Sequence, residues 1–111
     1  MNNIPSKLNR EMSEDPYYEV CCYSGMRAGP GVKIERHHNL IYAGRQVQEK
    51  WCILPLWKQI HDQANNSEVK EKLDWIMLNR GTDDDLRRFS KATNLIVKRE
   101  RLNKIYGKKR N

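Results

Sequence analysis

At 111 residues the chain has the length of one ordinary domain, which excludes an enzyme built from separate substrate and cofactor lobes. Hydrophobic residues make up 38% and charged residues 32%, and no apolar run reaches the length of a bilayer span, so the composition is that of a water-exposed domain with one modest core. The formal charge of +7 is uneven: from Leu86 onward ten Lys or Arg stand against one acid, Glu100, a local +9, while the rest of the chain is slightly acidic.

Residues 1–16 are polar and end in Asp15-Pro16, which predicts a loose arm with a short helical turn at its start. They carry no apolar stretch of the signal-peptide kind, so the expected compartment is a reducing cytoplasm or nucleoid, with no membrane partner. Strand-forming residues over 17–23 predict a first strand broken at Ser24-Gly25, with Cys21 and Cys22 as small buried residues in it. The cysteine count is odd, two are adjacent and no CxxC pair occurs, which excludes a disulfide scaffold and a four-cysteine zinc site. After the turn signal Gly29-Pro30-Gly31, Val32 and Ile34 alternate with Lys33 and Glu35 as in a half-buried strand that ends at His37 and His38. A loop centred on Gly44 follows, and residues 46–51 read as a weak antiparallel return.

Pro55 is well tolerated in a first helical turn, so a helix is expected from 54 or 55 to 64, with Leu56, Ile60 and Trp57 toward the core. Trp51 also reads as core. Ser67 is the expected N-cap of a second helix to 79, with Val69, Leu73, Ile76 and Met77 on one face. Thr82 caps a third, whose first turn holds Asp83, Asp84 and Asp85, the favourable sign at a helix N-terminus. Its stripe begins with Leu86 and Phe89. A continuous helix to Tyr106 and a break near Asn94 both fit, with Gly107 as the stop.

All three histidines fall within 25 residues, a pair at a strand end and His61 in a predicted helix. Adjacent strand residues point to opposite faces, which favours two roles, one metal ligand and one proton acceptor. Glu35-Arg36-His37-His38, the glycine loop at Gly44, and the run from Cys52 through Leu54-Pro55-Leu56 to His61 resemble the HNH, or ββα-metal, endonuclease family. The match covers about residues 18 to 65 and is similar, more loosely, to the phage recombination nuclease Ref subgroup. The resemblance implies an α+β fold: a small ββα-metal hairpin-helix core over 17–66, between the arm at 1–16 and a helical extension with a basic tail over 67–111.

It also implies a metal-dependent DNA endonuclease or nickase, with His38 as general base and His37 and His61 as ligands of one divalent cation, Mg2+ or Mn2+, with Zn2+ or Ni2+ as alternatives. Asn65, one helical turn beyond His61, is a further candidate ligand. Where the family usually has an asparagine that braces the loop, this chain has Cys52. The basic segment points to a polyanion, and Arg36, Arg45, Lys58, Arg87, Arg88, Lys91, Lys98, Arg99 and Arg101 are the candidate DNA contacts. Besides DNA, a recombination or phage protein is a candidate partner, and the oligomeric state is open. Two rival readings are a non-cutting DNA-binding or scaffold protein with a degenerate HNH fold, and a small structural-zinc module using Cys21 or Cys22, His37 or His38, Cys52 and His61.

Overall fold

A computed structural model describes residues 4–107, and it has an α+β fold. In chain order come helix α1 (Ser6–Ser13), a 3-10 turn (Pro16–Glu19), strands β1 (Ile34–His38), β2 (Ile41–Tyr42) and β3 (Arg45–Gln46), and a second 3-10 turn (Lys50–Cys52). Strand β4 (Ile53–Trp57) and helices α2 (Lys58–His61), α3 (Ser67–Leu78), α4 (Asp83–Arg88) and α5 (Leu95–Tyr106) complete the chain. β1 pairs antiparallel with β4, and β2 with β3 in a separate two-stranded sheet. No helix among the described residues is long and apolar enough to cross a membrane. The end of the expected basic tail, Lys108 to Arg110, and the first three residues of the arm lie outside the described residues.

The partner of β1 is therefore β4, not the expected strand over 46–51, and the run expected to open a helix at Pro55 is extended. Its register explains why proline is accepted. The Lys58 N–H donates to the Lys33 carbonyl at 3.1 Å and the Asn39 N–H to the Cys52 carbonyl at 2.9 Å. Hydrogen-bonded pairs alternate along an antiparallel ladder, so Arg36 and Pro55 face each other at a position that needs no N–H. The helix begins only at Lys58 and closes at His61, after which 62–65 continue as turns, with the Ala64 N–H reaching the His61 carbonyl.

The two faces of the β1–β4 ribbon meet different layers. Leu54 and Leu56, opposite His37 and Glu35, are fully buried in a core shared with Leu73, Ile76 and Met77 of α3, Leu86 of α4 and Leu102 of α5. Ile53, opposite His38, packs instead with Met12 of α1 and Tyr18. The arm expected to be loose thus carries a helix that closes one face of the ribbon, with Met12 fully buried and Arg36 donating to Asn9 and to Ser13. The expected strand over 17–23 is a 3-10 turn followed by a single bridge from Val20 to Arg27, because the Asp15 side chain accepts from the Tyr17 N–H and Pro16 starts the turn. Cys21 is buried and Cys22 half-buried, outside any strand.

The C-terminal helices follow their capping residues. Asn66, not Ser67, caps α3, its side chain accepting from the Glu68 and Val69 N–H groups. Thr82 and Asp85 form the reciprocal capping box of α4, and Asn94 caps α5, so the helical stretch breaks between Phe89 and Asn94. Arg80 ties the end of α3 to the ribbon: its guanidinium lies over Tyr17, 4.2 Å from the ring centroid, and donates to the carbonyls of Lys50 and Ile53. Gly81 leaves no room for a side chain, since a Cβ there would sit 2.7 Å from Leu86 and 2.9 Å from Trp51.

Candidate functional site

Strand alternation sends Glu35, His37 and the side chain of Asn39 just beyond the strand end to one side, and α2, following β4 without a linker, brings His61 to them. The His37 and His61 rings meet edge to face with centroids 5.0 Å apart. His61 Nδ1 lies 2.9 Å from Glu35 Oε1, and His37 Nε2 lies 3.1 Å from Asn39 Oδ1. Asn39 is itself fixed: its amide donates to the buried Asp74 carboxylate at 2.9 Å, which also receives Lys70 at 2.7 Å and Lys98 at 3.0 Å.

That network sets the His37 tautomer and the donor nitrogen of His61. A carboxylate only accepts, so Asn39 points its NH2 at Asp74 and its oxygen at His37, which must donate from Nε2 and keep its lone pair on Nδ1. His61 donates from Nδ1 to Glu35. Burial, with the neighbouring His61 second, pushes the His37 pKa down to about 4, so this imidazole is uncharged at neutral pH. The two half-buried histidines are each braced from behind, His61 by a carboxylate and His37 by an amide that is itself held by a carboxylate.

His38 goes elsewhere. It is 6% exposed on the α1 face, its Nε2 2.9 Å from Gln48 Oε1, and its Nδ1 is enclosed without a hydrogen-bond partner. Asn65 is exposed, and the i+4 helical relation that would place it under His61 is not formed, since the chain there runs in turns with i to i+3 bonds. Cys52 is fully buried in the apolar core, where burial pushes its thiol pKa up. Among the described residues no three His, Cys, Asp or Glu side chains converge on one point, as a closed zinc module would need.

Of the nine candidate DNA contacts, seven already have partners within the chain. Arg36 bonds to α1. Lys58 pairs with Asp62, Arg87 with Asp84, Arg88 with Glu49 and Asp85, Lys98 with Asp74, Arg99 with Asp83, and Arg101 with Glu71 at 4.0 Å. Arg45 and Lys91 are exposed and make no ion pair among the described residues. Lys91 lines a cavity of about 460 Å3 between α3, α5 and the β2–β3 hairpin, together with Asn39, Asp74, Tyr42 and Phe89.

Sequence reasoning missed Glu35, Asn39 and Gln48 as partners of the histidines, and Asp74 behind Asn39. For Glu35 and Asn39 the signal was available: 35, 37 and 39 share a strand face. Asp74 lies on α3 and Gln48 in an irregular segment, and no spacing pointed to either. No family model matches this chain, and neither a curated protein nor a solved structure matches it.

Proposed function

We propose that this protein is a metal-dependent DNA endonuclease or nickase, and the observation that carries the reading is the meeting of His37 and His61, 24 positions apart in sequence, on one face of the ribbon. The residues present fit a divalent cation: two imidazoles, one backed by a carboxylate and one by an amide anchored on a carboxylate. His37 through Nδ1 and His61 through Nε2 would hold Mg2+ or Mn2+, with Zn2+ or Ni2+ as alternatives. Bound there, the cation supplies Lewis-acid stabilisation of charge on the scissile phosphate and the leaving oxygen.

The chain's own groups supply the rest. His38 would take a proton from the attacking water, an effect worth roughly 100- to 10,000-fold for a positioned general base, and because it lies on the opposite face of the ribbon from His37 that role requires DNA binding to bring water and phosphate to its Nδ1. Glu35 and Asn39 keep the two ligand rings in place. Arg45 and Lys91 are the phosphate contacts that cost no internal ion pair, and the paired bases of α4 and α5 join only where DNA outcompetes Asp83, Asp84 or Glu71. Because so little of the surface reads bases, cutting is guided by DNA structure or by a partner, such as a recombination or phage protein, rather than by sequence.

One observation favours a second reading, a DNA-binding or scaffold protein that does not cut: Nδ1 of His38 is enclosed, and the nuclease needs DNA binding to admit water to it. Plasmid nicking at low salt with Mg2+, Mn2+ or EDTA separates the two. The nuclease reading expects metal-dependent nicking by the wild type that disappears in His38→Ala while DNA binding persists. DNA binding without cutting under any metal would leave the scaffold.

A further inference from the structure

We propose that Gln48 is the positioning residue of His38: its side-chain carbonyl accepts a hydrogen bond from Nε2 and so leaves the ring's lone pair on Nδ1. The inference rests on the nuclease reading for its purpose, but its geometry stands apart. His38 is buried, Gln48 is the partner of its Nε2 at 2.9 Å, and Nδ1 has none. A buried ring nitrogen without a partner is costly to keep, and such groups are found where a ligand or water completes them.

Gln48 sits where it can hold a fixed position. On one side the buried Val47 donates its N–H to the Leu40 carbonyl at 3.0 Å. On the other, Glu49 receives both Nη atoms of Arg88 at 2.7 Å and the indole N–H of Trp51 at 2.9 Å. The backbone that carries the amide is thus held between two anchored neighbours, and His38 is the amide's hydrogen-bond partner. Cys52 cannot do this work. Its thiol is locked in the apolar core and is a weak donor and acceptor, and only its backbone carbonyl serves, accepting from the Asn39 N–H.

The test is 15N-resolved NMR of the histidine side chains in the full chain, with plasmid nicking and DNA affinity measured on the same proteins. The wild type should show His38 as a single tautomer protonated on Nε2. Gln48→Leu should lose that preference and, with folding checked by circular dichroism, nick about 10- to 100-fold more slowly at unchanged DNA affinity, a smaller loss than removing the base itself. Gln48→Glu, which keeps an acceptor oxygen, should restore the Nε2 tautomer and the nicking. Because the tautomer is read without any cutting, a wild type that holds the Nε2 tautomer but does not nick overturns the nuclease and leaves the Gln48 contact standing. A wild-type proton on Nδ1, or a Gln48→Leu protein with tautomer and nicking unchanged, overturns the proposal.

Discussion

Two adjacent histidines end β1, and the two faces of the ribbon treat them differently. On the α2 face His37 belongs to a half-exposed polar cluster, with His61 against its ring and a chain of side chains behind it from Asn39 to Asp74, Lys70 and Lys98. On the α1 face His38 is enclosed, with one amide for company. One dipeptide thus delivers the same ring to a polar cluster beside a second imidazole and to an enclosed place where Nδ1 has no partner. On the proposed nuclease reading the first ring would serve a cation and the second a proton, since a two-residue period sends adjacent side chains to opposite faces.

The contrast can be broken most severely at the base. His38→Ala should lower nicking by roughly 100- to 10,000-fold and leave Mn2+ affinity as it is, which nicking kinetics and calorimetry on one preparation would check. On the other face, Glu35→Ala frees the His61 ring and should weaken Mn2+ binding by about 10- to 100-fold, the usual cost of losing a partner behind a ligand. For DNA, Lys91→Glu should lower the slope of log K against log salt by roughly 0.9 as one phosphate contact is lost, whereas Arg99→Gln, which removes a base already paired with Asp83, should change it less.

Acid sharpens the comparison further. His37 is uncharged in the folded chain down to about pH 4 but protonates near its ordinary 6.5 when unfolded, so protons favour the unfolded chain between those values. Its contribution to stability is complete above pH 6.5 and is lost as pH falls toward 4. Denaturant unfolding across that range should give a smaller acid loss for His37→Gln than for the wild type. The smallest effect belongs to a position remote from both rings: Ala43, at φ 52, forms the turn of the β2–β3 hairpin with Gly44, at φ 78. Ala43→Asn should stabilise the chain by about 0.5 kcal/mol in thermal unfolding, since asparagine tolerates the left-handed region better, with no change in metal binding.

The helices C-terminal to the site were legible because caps and a 3.6-residue period are local signals; Val69, Leu73, Ile76 and Met77 are buried as their spacing predicts, and Thr82 caps as expected. The ribbon was harder. A short apolar run with a proline fits a helix start and a strand equally, and what decides is that Pro55 falls opposite Arg36 at a position without a ladder bond, a fact of register that appears only when β1 and β4 are paired. The error propagated to Asn65, whose candidacy depended on helix continuing past His61. His37 and His61 lie side by side because that needs only that the strand end and the segment after Pro55 converge. Charge was the least legible: composition counts ten bases after Leu86, but only the fold reveals that Glu49, Glu71, Asp74 and the acids of α4 engage five of them.

The division of labour between the two rings is tested most directly by titrating Mn2+ into the wild type, His61→Ala and His38→Ala and reading bound metal by electron paramagnetic resonance. The account predicts one site in the wild type, its loss or at least a tenfold weakening in His61→Ala, and wild-type affinity in His38→Ala. Equal losses in the two variants, or no bound metal in the wild type, would contradict it.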